Sequence, residues 1–126
     1  IYKNELTKRV VFLNTNHTET LAKLYRHSRA LVYPSLNEGF GIPIIEGMYS
    51  KIPVITSDQA IFQEIGGKHS YYFQKGNLDS LIEKILEVWT DSAERENRIE
   101  LNFKYVQKFN SHQQANNLMS IYQNLM

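Results

Sequence analysis

Short apolar runs separated by amphipathic stretches set the strongest limit on how this chain can fold. "RVVFL" (Arg9 to Leu13), "ALVYP" (Ala30 to Pro34), "PVITS" (Pro53 to Ser57) and "SYYF" (Ser70 to Phe73) are rich in β-branched and aromatic residues. Each is too short for a helix and reads as a buried strand, the second stopped by its own proline. Between them the spacing becomes helical. Asn16 with Glu19 resembles a capping box ahead of Leu21, Leu24 and Tyr25, and a second helix begins at Pro43, where a missing N–H costs nothing. "AIFQEI" (Ala60 to Ile65) is a short helix ended by Gly66-Gly67. Leu78, Leu81, Ile82, Ile85, Leu86 and Trp89 form the clearest stripe; Ile99, Phe103 and Val106 share a face of the next helix. Ser111 with Gln114 opens a last helix carrying Ala115, Leu118, Met119, Tyr122 and Leu125. Strands alternating with helices predict an α/β, Rossmann-like domain, a parallel sheet flanked by helices on both sides.

Residues 1–126 show no internal repeat or linker, so a single unit is expected. Four strands are few for such a sheet, and Ile1 to Lys8 show no clear βα unit; a partial domain is expected at that end. The net charge is +1, which gives no footprint for nucleic acid. Cysteine is absent, which removes disulfide and thiolate-metal chemistry, and no His cluster suggests a metal site. With no membrane-length apolar run, a cytoplasmic location is expected. Lys23, Arg26 and Arg29 read first as a solvated helix face, with peripheral contact at the inner face of a membrane as the alternative.

The chemistry concentrates in "NEGFGIPIIEGM", Asn37 to Met48. Gly39 and Gly41 lie between a strand and a helix start, where an open α/β sheet binds ligands and the helix dipole favours phosphate. The dinucleotide fingerprint needs a third glycine where Ile44 stands, and no Walker lysine follows. Glu46, expected in the first turn of the helix roughly 5 Å from its start, would lean back toward the loop. A carboxylate suits a vicinal diol such as that of ribose, and Glu38 faces the loop from its other side. Hydroxyls at both ends and a diphosphate between describe a sugar nucleotide. Between Arg29 and Lys51 there is no Lys or Arg, so either the site binds something neutral or the cation a diphosphate needs comes from a segment not present in this chain. The bland account makes Glu38 a loop cap and Glu46 a solvated glutamate near a helix start. Glu64 is expected at the surface or in a cap, and Ser57 with Asp58 as an N-cap pair.

From "VVFLN" through "LAKLYRHSRALVYPSLNEGFGIPIIEGMYSKIPVITSD" to "LDSLIEKILEVW", the chain resembles the C-terminal domain of GT-B glycosyltransferases, most of all the retaining group 1, or family 4, enzymes. "EGFGIPIIE" resembles their E-x7-E motif; "FNSHQQANNLMSIYQNLM" resembles their final helix, with His112 where tryptophan is common. The resemblance implies that Glu46 binds the donor ribose. Glu38, with the backbone of Gly39, Phe40 and Gly41, would hold the donor sugar, Glu38 acting as the catalytic residue. Ile42, Ile44 and Ile45 would offer amides to sugar or diphosphate, and Asn14 to Asn16 would neighbour the base. It implies a nucleotide diphosphate-sugar substrate, no cofactor or metal, and an acceptor glycan or lipid-linked sugar held by an N-terminal domain absent from this chain. The alternatives are a non-catalytic nucleotide-sugar-binding or interaction module and a GT-B-related nucleotide-sugar epimerase.

Overall fold

The computed structural model describes residues 6–14 and 17–111. Within them α1 (Thr18–His27) leads to β1 (Leu31–Tyr33), α2 (Ile42–Tyr49), β2 (Val54–Ser57), α3 (Ala60–Gly66) and β3 (Tyr71–Phe73). Two longer helices follow, α4 (Leu78–Thr90) and α5 (Ser92–Val106), and a 3₁₀ turn at Gln107–Phe109. The three strands form one parallel sheet in the order β1-β2-β3, with Leu31 beside Val54 and Ile55 beside Tyr71. This is the expected α/β class. The helix expected from Ser111 onward lies beyond the described residues, as does its resemblance at His112.

The central strand explains why the sheet is parallel. All four residues of β2 are buried, which requires a covered layer on each side. Successive side chains alternate between those layers. Val54 joins Ile44, Met48, Phe62, Ile65 and Val106, from α2, α3 and α5. Ile55 joins Tyr71, Phe73 and Val88, the last from α4. Burying side chains of this size contributes about 1.5–3 kcal/mol each.

The first expected strand fails, and the expected α4 helix forms with little of its stripe covered, for related reasons. "RVVFL" is no strand: Val11, Phe12 and Leu13 are 74%, 83% and 62% exposed, and no ladder partner reaches Arg9 to Leu13 among the described residues. An apolar run becomes a strand only where a neighbour supplies hydrogen bonds and cover. The stripe of α4 also goes mostly uncovered. Val88 is buried and Leu81 packs against the core, yet Leu78, Ile82, Ile85, Leu86 and Trp89 are exposed. Three strands are too narrow a floor for so wide an apolar face. Arg29 leaves the supposed basic patch and covers part of it, its guanidinium 4.0 Å over the Trp89 ring and donating to the Trp89 carbonyl.

The N-cap positions differ too. His17 holds that of α1; Asn16 lies outside the described residues. In α4 and α5 the caps are Asn77 and Asp91, whose side chains accept from the amides of Ser80 and Glu94. Gly67, at φ 65°, closes α3 as the sequence indicated.

Helix α2 lies unusually near the sheet. A Cβ on Gly47 would stand 2.9 Å from Val54 Cγ2 and 3.0 Å from Leu31 Cδ2. That contact fixes the height of α2 above β1 and β2, and with it everything at the helix's start. Gly47→Val should lower stability by about 2 kcal/mol through overpacking, measured by urea unfolding. Unchanged stability would mean that α2 can lift without cost.

Candidate functional site

Residues 34–41 leave the carboxyl end of β1 and turn into α2. Gly41 makes that turn at the N-cap position, with φ 84° and ψ 45°, a left-handed conformation that strains residues bearing a Cβ. It is also confined, since a Cβ there would lie 3.3 Å from Ile44 Cδ1 and from the Phe62 ring. Gly39 has open space around it. Pro43 follows within the first helical turn, where its missing N–H is harmless.

The residues expected to meet a ligand divide by exposure. Phe40 and Ile42 are 49% and 59% exposed, and Phe40 meets Phe109 edge-on with centroids 6.4 Å apart. Ile44 is fully buried in the core, and its amide, expected to meet a ligand, instead donates to the Gly41 carbonyl at 3.0 Å within the first turn of the helix. Ile45 is half-buried and packs against the same core.

Glu46 departs from its expected position. It is the fifth residue of α2, in the second turn, about 6 Å along the axis. Its carboxylate reaches sideways to α1, where the Tyr25 hydroxyl donates to Oε2 at 2.9 Å. The two line a groove of about 210 Å³ between α1 and α2, with Thr18, Leu21, Ala22, Ile45, Tyr49 and Ser50. The groove thus pairs one carboxylate with a largely apolar wall.

Glu38 is exposed in the loop ahead of the glycine turn, beside Tyr33 at the end of β1. Each glutamate therefore faces a phenol. Burial first, then the Glu46 hydrogen bond and charge, push Tyr25 well above the ordinary phenol value of 10.0. Burial, followed by Glu38, raises Tyr33 as well.

A polar network that the sequence did not reveal joins the carboxyl ends of the strands. Ser57 Oγ donates to the Ser35 carbonyl at 3.2 Å, and Gln59 Nε2 donates to the same carbonyl at 2.8 Å and to Ser57 Oγ at 2.9 Å. Asp58 Oδ1 accepts from the Lys75 amide at 2.9 Å, and Lys75 Nζ donates to Gln59 Oε1 at 3.3 Å. Ser57 and Asp58 are thus strand ties rather than caps; Gln59 holds the N-cap position of α3. Except for Gln59 with Ser57, these partners lie 16 to 24 residues apart, so no local pattern signals them. Lys75 is a cation at the sheet's carboxyl end, two strands or about 10 Å from β1. Glu64 is exposed, its carbonyl accepting from the Tyr105 hydroxyl. Among the described residues no cluster of His, Asp or Glu has a metal-binding arrangement, and no helix is long and apolar enough to cross a membrane.

A parallel sheet flanked by helices, with a glycine turn leading from a strand into a helix, is a Rossmann-like arrangement, and comparison with known structures gives it the GT-B class. Sucrose-phosphate synthase from Thermosynechococcus elongatus superposes with a TM-score of 0.84 over 98% of this chain and 32% of that one, at 27% identity. The chain belongs to the glycosyl transferases group 1 family, whose sequence model matches residues 1–105. It is 44% identical over 85 residues to the serotype-specific mannosyltransferase WbdA of Escherichia coli, covering 68% of this chain and 10% of WbdA. It is 51% identical over 61 residues to the O-antigen chain mannosyltransferase RfbU of Salmonella typhimurium, covering 48% of this chain and 17% of RfbU. The chain therefore spans a small part of these relatives' length.

The phenol beside Glu46 sets a pH response. Tyr25 holds its proton more tightly folded than unfolded, so its contribution to stability is intact below pH 10 and is lost as pH rises through the elevated pKa. Unfolding free energy should fall above pH 10, and Tyr25→Phe should make that fall shallower by up to about 1.4 kcal/mol per pH unit. Urea titrations between pH 8 and about pH 12 measure it; the same slope in both proteins would contradict the assignment.

Proposed function

We propose that this chain forms the donor-binding part of a retaining glycosyltransferase, which moves a sugar from a nucleotide diphosphate-sugar to an acceptor hydroxyl. One observation carries the reading. Two carboxylates flank the left-handed Gly41 turn at the start of α2, one exposed at the loop and one in the α1–α2 groove. Glu46 accepts the ribose hydroxyls while the groove's apolar wall shelters the base. The loop and the positive end of α2 lie toward the diphosphate, and Glu38 holds the sugar.

In the transfer, the bond between sugar C1 and the diphosphate oxygen breaks, and a bond from C1 to the acceptor oxygen forms. The acceptor's proton leaves toward the departing diphosphate. The chain's own contribution is to orient the sugar and stabilise the separating charge. Mannose is the first sugar to test, because two relatives carry mannosyltransferase names. Their O-antigen and serotype titles support a surface polysaccharide as the product.

The test uses the full-length protein. Glu46→Ala should weaken binding of both bare nucleoside diphosphate and donor by about 10- to 100-fold, the worth of hydrogen bonds to a charged acceptor. Glu38→Ala should lower kcat by about 100-fold while leaving affinity for the bare nucleotide within about threefold. Calorimetry and initial rates separate the roles. Equal loss of nucleotide affinity in both variants would move Glu38 from the sugar to the nucleotide.

A further inference from the structure

Tyr25 and Glu46 are 21 residues apart, and their hydrogen bond joins α1 to α2 at 2.9 Å. Helix α1 has no fully buried residue, so this bond is a specific tie on a helix otherwise held by half-buried contacts. Both side chains line the same groove, and both are half-buried. A glutamate with no partner on a helix samples several rotamers. This one is held by a donor from another element, on the groove side.

The stoichiometry of the carboxylate matters. An ionised carboxylate offers about four lone-pair sites on two oxygens. The Tyr25 hydroxyl takes one site on Oε2, which leaves Oε1 whole and a second site on Oε2. Two hydroxyls of one vicinal diol require two acceptor sites. The phenol can therefore stay bonded while a diol binds, and the carboxylate plane is fixed before the ligand arrives. A lysine in the same place would hold the carboxylate by charge, with its three donors competing against the diol.

We propose that Tyr25 is a positioning residue for nucleotide recognition: its hydroxyl fixes the orientation of the Glu46 carboxylate that receives the ribose diol. The inference rests on the ribose reading of Glu46, and its test separates the two.

In the full-length protein, Tyr25→Phe, Glu46→Ala and the double variant are compared by calorimetry. The probe is whichever of ADP, GDP and UDP the unaltered protein binds most tightly, followed by kinetics with the matching nucleotide-mannose. Tyr25→Phe should weaken nucleotide affinity about tenfold, or about 1.4 kcal/mol. It should raise the donor KM in proportion and leave kcat within about twofold. In the Glu46→Ala background it should add nothing, because the group it positions is gone. Unchanged or tighter binding by Tyr25→Phe, with binding lost by Glu46→Ala, overturns the positioning role and leaves the ribose reading standing. A tenfold loss that persists in the Glu46→Ala background also overturns it, since Tyr25 would then act through the fold or by its own contact. Full affinity in Glu46→Ala removes the ribose reading, and this inference with it.

Discussion

The close seat of α2 on the sheet is the constraint on which the rest depends. Gly47 lets the helix backbone approach Val54 and Leu31 at distances no Cβ tolerates. Four residues of β2 buried on both faces then anchor that contact from beneath. Because a helix is rigid along its axis, fixing its middle also fixes its first turn. The Gly41 turn, the loop carrying Glu38 and the carboxylate of Glu46 all inherit their positions from it. Interiors pack densely enough to transmit such a constraint without slack.

The two ends of the sheet's carboxyl edge are built differently. At β1 and α2 the chain offers carboxylates facing phenols, beside an apolar groove. At β2 and β3, Ser57, Gln59, Asp58 and Lys75 satisfy one another and the Ser35 carbonyl. The second arrangement holds the strand ends in register, which in turn holds Ser35 at the root of the loop. Thus Glu46, in the first arrangement, faces the open α1–α2 groove with acceptor capacity to spare. That division supports the proposal of a hydroxyl-rich ligand in the groove.

The contrast between Val54–Ser57 and Arg9–Leu13 shows where residue patterns stop being informative. Both runs are short, apolar and β-branched, and both carry the same strand signal. One lies between two strands and two helical layers; the other meets no ladder partner among the described residues. Strand propensity measures fitness for a pleated, half-covered surface, and the neighbours supply that surface. The stripe on α4 teaches the same lesson. Its spacing declares a helix correctly, but spacing says nothing of the area available to cover it, so Leu81 and Val88 go inside while Trp89 stays out under Arg29.

By itself the sequence determined the class of fold, the strand–loop–helix setting of Glu38 and Glu46, the glycine turns and the family. These follow from periodicity, from positive φ at Gly41 and Gly67 and from a local run of residues, all readable within a window of about a dozen positions. Only the tertiary structure decided that Glu46 turns toward α1, that a phenol holds it there, and that Lys75 comes to the carboxyl end of the sheet. Those facts join residues 16 to 21 apart across different elements. The physical reason is that a side chain's direction on a helix is set by backbone geometry, whereas its partner is set by which element packs alongside.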